Sequence, residues 1–141
     1  MVIVDANVLL YAVNTATMHH DVSRAWLDRA LAGTEVVGLP WLSLVAFLRI
    51  ATNRRAVNAP LSVDEAADQV TRWLDEPAAV IAEPTTRHAA ILTGLLRDTG
   101  TAGNLVNDAH LAALAIEHGA QIVSHDRDFA RFAGVRHRLP A

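Results

Sequence analysis

Three aspartates hold the chemical potential of this chain. Asp5 follows the apolar run "VIV", Asp108 opens "DAHLAALAIEHG", and Asp126 follows "QIVSH". An aspartate at a strand end or a helix start ordinarily accepts hydrogen bonds from free backbone N–H groups, and taken singly each of the three reads as such a cap, Asp108 above all. Brought together they become something else, because like charges crowded in one place repel unless a cation or a proton neutralises them. With no cysteine in the chain and hard carboxylate oxygens as donors, Mg²⁺ or Mn²⁺ is the natural cation. Such an ion lowers the pKa of a bound water and neutralises charge growing on a phosphate, so the reaction class is hydrolysis of phosphodiesters or phosphomonoesters. Asp128, two positions after Asp126 in "HDRDFARF", either completes a ligand set or caps a short helix around residues 129–132. Phe129 and Phe132, three apart, read as core anchors rather than stacking partners for bases.

The elements around these acids must bring them together. The run 2–4 is β-branched and reads as a buried strand that delivers Asp5 to its C-terminal end. "TEVVGL", "AAVIAE" and "AQIVSHD" are further strand candidates. Helical spacing appears from Asp21, read as a cap, to Leu31 with Gly33 as the stop, and again from Pro40 through "PWLSLVAFLRIAT". "SVDEAADQVTRWLDE" carries a capping box, Ser62 with Glu65 three positions on. "TTRHAAILTGLLRDTG" and "VNDAHLAALAIEHG" read as helices ending at Gly100 and Gly119. Strands alternating with helices predict one α/β domain over residues 1–141, with a central, mainly parallel sheet of four to five short strands flanked by helices. Ligands of such sheets bind outside the carboxyl ends of the strands, where both Asp5 and Asp126 fall.

Composition narrows the classes further. The net charge of −3 does not advertise a nucleic-acid binder, and half the residues are apolar, as a globular core requires. All twelve basic residues are arginine, which removes any mechanism built on a lysine ammonium. No apolar run is long enough to span a bilayer and no signal peptide is evident, so the expectation is a cytoplasmic protein without membrane attachment.

Three stretches, "IVDANVLLYAV", "LPWLSLVAFLRIAT" and "TAGNLVNDAHLAALAIEHGAQIVSHDRDFARF", resemble in order and spacing a PIN domain, and specifically the VapC-type toxins of bacterial toxin–antitoxin pairs. The resemblance implies a Mg²⁺- or Mn²⁺-dependent endoribonuclease that cleaves cellular RNA, is silenced by a cognate antitoxin and forms a homodimer. It maps acidic ligands onto Asp5, Asp108 and Asp126, with Asp128 as an adjacent supporting carboxylate. One position departs from it. Many PIN domains place a glutamate in the helix after the second strand, and here Ala46 aligns there. That departure favours a one-metal site, or an alternative ligand such as Asp128, over a four-acid, two-metal site.

Around the acids, Asn7 and Ser124 are candidates to bind a metal water or a phosphate, with strand-end capping as the equal alternative. Arg49, with Arg54 and Arg55, is a candidate for RNA phosphates. His125, next to Asp126, is expected to be structural, since adjacent strand residues point to opposite faces. The pairs His19–His20 and His110/His118 lack zinc spacing. Trp41 or Trp73 is expected to line an apolar groove for an antitoxin helix, burial in the core being the simpler role for both. A haloacid-dehalogenase-like phosphatase and a receiver domain also gather acids at a sheet end. Both expect a lysine, and the phosphatase expects an acid where Asn7 stands. A binding module that no longer cleaves is the non-enzymatic rival, motivated by Ala46.

Overall fold

The structure is a computed structural model that describes residues 1–100, 102, 103 and 105–141. Thr101 and Asn104, within the third stretch of the resemblance, lie outside the described residues. Five strands, β1 (Val2–Val4), β2 (Val37–Gly38), β3 (Ala79–Val80), β4 (Gln121–Val123) and β5 (Arg136–Arg138), form one sheet in the order β3-β2-β1-β4-β5. Every pairing is parallel. Six helices accompany them: α1 (Ala6–Val13), α2 (His20–Leu31), α3 (Trp41–Ala51), α4 (Val63–Asp75), α5 (His88–Thr99) and α6 (Leu105–Glu117). The predicted α/β class and parallel sheet are therefore present, at the upper end of the expected strand number.

Side-chain alternation explains why β1 reads as an unbroken apolar run. Val2 and Val4 enter a core shared with α1 to α4, while Ile3 enters a second core with α5, α6 and Phe129. Both faces of a parallel sheet are covered, so neither can be polar. Asp5 keeps extended geometry (φ −76°, ψ 153°) and accepts from the Ala6 N–H, capping α1 at once. The sequence reading placed no helix there. "NVLLYAV" is apolar nearly all round, because α1 packs against both α2 and α3 and so shows little helical stripe.

Other boundaries follow local chemistry. Ser62 and Glu65 make the reciprocal capping box at α4, and Gly100 closes α5 in the left-handed region. Asp21 lies in the first turn of α2 instead of capping it; His19 holds the cap position and offers no side-chain bond. Asp108, the strongest cap candidate, also sits inside the first turn of its helix, α6, leaving its carboxylate for other contacts. The strand β5, "RHR", was not anticipated: its arginines are exposed on the sheet's edge and give no apolar alternation.

Gly38 on β2 faces the central strand closely enough that a methyl group would lie 2.7 Å from Ile3 Cδ1 and 3.0 Å from the Val2 carbonyl oxygen. Gly38→Ala is expected to cost about 1–3 kcal/mol through overpacking, read as a lower midpoint in urea unfolding. An unchanged midpoint would mean that β1 and β2 are not packed this closely.

Candidate active site

The strand order places the switch point between β1 and β4. One chain connection leaves to each side there, and a crevice opens at their carboxyl ends. Asp5 and Ser124 meet in that crevice, since the Val4–Val123 register puts the next residues side by side and the Asp5 N–H donates to the Val123 carbonyl at 3.0 Å. The Ser124 hydroxyl donates to Asp5 Oδ2 at 2.7 Å and accepts from the Asp126 N–H at 2.9 Å. Asn7 donates to Asp5 Oδ2 at 3.1 Å and to Ser124 Oγ at 3.0 Å, and its carbonyl accepts from the His125 N–H at 3.1 Å. Asn7 and Ser124 thus hold the acids and the loop after β4, and Ser124 is wholly buried.

Asp108 comes from α6 on the far side of the crevice and is half-buried. It accepts no hydrogen bond from any described residue. Burial first, and then the charges of Asp5 and Asp126, push its pKa up to about 6, with Arg131 pulling the other way. Asp5 is also raised, chiefly by burial, against the lowering effect of its bonds from Ser124 and Ala6. Asp126 caps the short 3₁₀ helix Arg127–Arg131 by accepting from the Asp128 N–H at 2.8 Å. Asp128 is therefore not the cap; it is exposed and pairs with Arg131 at 3.0 Å. A cavity of about 290 Å³ runs from Asp5 and Asp108 along α3, past Ser43, Ala46 and Arg49. Ser43 donates to the Val4 carbonyl at 2.8 Å, seating α3 over the end of β1. Ala46 thus lines the same cavity as Asp5 and Asp108, and Arg49 supplies a cation on that wall.

Among the described residues no three His, Asp or Glu side chains could hold a metal as they stand. The donor set nevertheless suits a hard divalent cation in kind. It offers carboxylate oxygens in excess over nearby positive charge, and after burial, the first cause of both upward shifts, the mutual repulsion of the acids adds to the raised pKa of Asp5 and Asp108. His110 and His118 do not meet. His118 donates to the Glu83 carbonyl, while His110 touches His88 at 2.9 Å, and His88 in turn meets Glu117 at 2.6 Å. Trp73 is buried edge-on to Phe47, whereas Trp41 is 46% exposed.

A family model described as "PIN domain" matches residues 2–135. The chain belongs to the PIN-domain family, in its VapC group. It is 56% identical over 140 residues to Ribonuclease VapC37 of Mycobacterium tuberculosis, covering 99% of this chain and 97% of that protein. Among solved structures, VapBC2 of Rickettsia felis bound to a promoter DNA fragment matches with a TM-score of 0.71 at 19% identity, over 99% of this chain and 98% of that one. M. tuberculosis VapC20, a toxin that cleaves the sarcin-ricin loop, matches with a TM-score of 0.68 at 18% identity, over 96% and 99%. These structural likenesses establish the fold. No helix among the described residues is long and apolar enough to cross a membrane.

The raised pKa of Asp108 fixes the sign of a stability effect. An aspartate whose pKa is raised on folding favours the folded state below the unfolded value of 3.8, and that contribution is lost as pH rises through about 6. The shift corresponds to at most about 3 kcal/mol, and half-exposure screens it to about 1 kcal/mol. Asp108→Asn is therefore expected to be about 1 kcal/mol more stable than the parent at pH 7.5 in chelator, and equal to it near pH 4, by urea unfolding. A less stable variant at pH 7.5 would mean that the ionised Asp108 carboxylate is not held at a cost in the folded state.

Proposed function

We propose that this protein is a metal-dependent endoribonuclease, the toxin of a toxin–antitoxin pair acting in the cytoplasm. Asp5, Asp108 and Asp126 act as its metal-holding acids. The observation that carries the reading is Asp108: a half-buried carboxylate without a hydrogen-bond donor among the described residues, beside two further acids at the switch point of a parallel sheet. Full-length similarity at 56% identity to a relative named a ribonuclease supports RNA as the substrate. Mg²⁺ or Mn²⁺, when bound, supplies neutralisation of the acids, an activated water and stabilisation of charge on the scissile phosphate.

The chain's own contribution is placement. Ser124 and the Ala6 N–H fix the Asp5 carboxylate, Asn7 ties it to the loop that carries Asp126, and α6 brings Asp108 from the opposite wall. Arg49 lies in the same cavity, where a guanidinium meets a phosphate oxygen bidentately. Asp128, exposed and paired with Arg131, is a supporting acid at the rim. Ala46 leaves the α3 wall without an acid, which suits one metal rather than two and also motivates the reading of a module that binds without cutting.

Purified, antitoxin-free protein is expected to cut RNA with Mg²⁺ or Mn²⁺ and not in chelator. Asp5→Asn and Asp108→Asn should each lower the rate by about 100-fold or more, in line with removal of a group that stabilises transition-state charge. Cutting that persists in both variants would remove the proposed site. Binding of RNA without any cutting by the parent would favour the non-cleaving module.

The antitoxin needs a surface of its own. A groove of about 510 Å³ between α1, α2 and α4 is lined by Leu27, Leu31 and Trp73, with Arg24 and Arg72 at its polar edge. An amphipathic helix is the partner such a groove of mixed polarity accepts, with Trp73, otherwise buried in the core, in its lining. Ala32 stands exposed at the rim. Ala32→Trp is expected to abolish copurification with the product of the adjacent small reading frame while RNA cleavage persists. Retained copurification would place the antitoxin elsewhere. The homodimer implied by the family is a further part of this reading, measurable by light scattering on the same preparations.

A further inference from the structure

Beside the acids stands a group of rings that the proposed hydrolysis does not use. Tyr11 from α1, His19 from the turn before α2 and His125 from the loop after β4 converge from three segments. Their centroids lie 5.3 Å (Tyr11 to His19), 5.2 Å (Tyr11 to His125) and 4.5 Å (His19 to His125) apart, and Tyr11 and His19 are within 26° of parallel. Each of the three is half-buried, unlike Phe47 or Phe129, which are sealed in the core.

The cluster is held firmly on its inner side. His125 Nε2 meets the hydroxyl of wholly buried Ser23 at 2.7 Å, and His20 Nδ1 donates to the Tyr11 carbonyl at 2.8 Å. The Tyr11 hydroxyl and the His19 ring nitrogens have no hydrogen-bond partner among the described residues. Asn7 joins this cluster to the acids, donating to Asp5 while accepting from the His125 N–H. His125 itself lies between Ser124 and Asp126 in sequence.

We propose that Tyr11, His19 and His125, set against Asp5 and Asp126, form a stacking platform for an unpaired RNA base next to the phosphate that the acids receive. The proposal rests on the ribonuclease reading. The His125 ring is fixed by its bond to Ser23 and holds the Tyr11 and His19 rings by packing against both, which lowers the cost of ordering a surface for a base, and the hydroxyl and ring nitrogens can meet a base edge. A paired base stacked within a duplex offers no such face. The contact therefore requires the base beside the scissile phosphate to be unstacked.

The test uses full-length Asp108→Asn protein, to suppress cutting, and a single-stranded oligoribonucleotide carrying 2-aminopurine at successive positions. Binding should quench the fluorescence at one or two adjacent positions. Tyr11→Leu and His19→Leu should each remove the quench and weaken binding about tenfold, while Tyr11→Phe retains both. A duplex of the same sequence should bind at least tenfold more weakly. Unchanged affinity and quench in the two leucine variants would overturn the platform and leave the nuclease reading standing. Equal losses in Tyr11→Phe and Tyr11→Leu would overturn stacking by assigning the contact to the phenol oxygen. Failure of the Asp108→Asn protein to bind RNA, together with absence of cutting by the parent, would overturn both.

Discussion

The pairing of β1 with β4 is the constraint on which the rest of the site depends. These strands are far apart in sequence, and only their parallel register sets Asp5 beside Ser124, with the Asp5 N–H on the Val123 carbonyl. A shift of one residue would move Ser124 away from Asp5 and turn Ile3 and Ile122 out of the core they share with α6. The same hydrophobic alternation that fixes the sheet therefore fixes the acids. Packing specifies the register, and the register specifies the chemistry.

At that edge the fold holds together groups that repel. Ser124 is central because its single hydroxyl donates to Asp5 and accepts from both the Asp126 N–H and Asn7. Three partners on one buried oxygen use its full capacity, and an alanine there would leave Asp5 and the Asp126 N–H without it. Asp108 receives no comparable support and carries the electrostatic cost in its raised pKa. The three acids are thus unequal among the described residues: two are anchored by donors, and Asp108 has none. The candidate site is therefore preorganised on one wall and less constrained on the other.

How much of this was legible in the sequence follows from the range of each interaction. Strand β1, the capping box at Ser62 and Glu65 and the stop at Gly100 are local devices, and local patterning identifies them. Helix α1 was not legible, because a helix packed on two sides loses the 3.6-residue stripe that would reveal it. Strand β5 was not legible either, its edge position requiring no apolar alternation. Of the site, the three acids could be named from their places at element ends, whereas the roles of Asn7 and Ser124 as ties depend on bonds spanning more than a hundred residues. The sequence offered Asp128 as either a ligand or the cap of the short helix around residues 129–132, and only backbone geometry assigns that cap to Asp126.

The two histidine clusters show how one residue type diverges with its surroundings. His88 and His110 are drawn inward by Glu117, whose side chain is sequestered from solvent and accepts from the Thr85 N–H and hydroxyl as well as from His88. Burial acts to raise Glu117, but these donors outweigh it and hold its pKa low, so the carboxylate is ionised and His88 donates through Nδ1. His88 Nε2 lies 2.9 Å from His110 Nδ1, and burial first, then the neighbouring His88, keep His110 below the usual imidazole range. Every polar atom along this chain from Thr85 to His88 has a partner, and its effect is to brace α5 against α6, the helix that carries Asp108. Among the described residues no carboxylate pairs with His19 or His125, and the Tyr11 hydroxyl and His19 ring nitrogens have no partner, so what braces one side of the sheet is, on the other, a surface with hydrogen-bonding capacity still to satisfy.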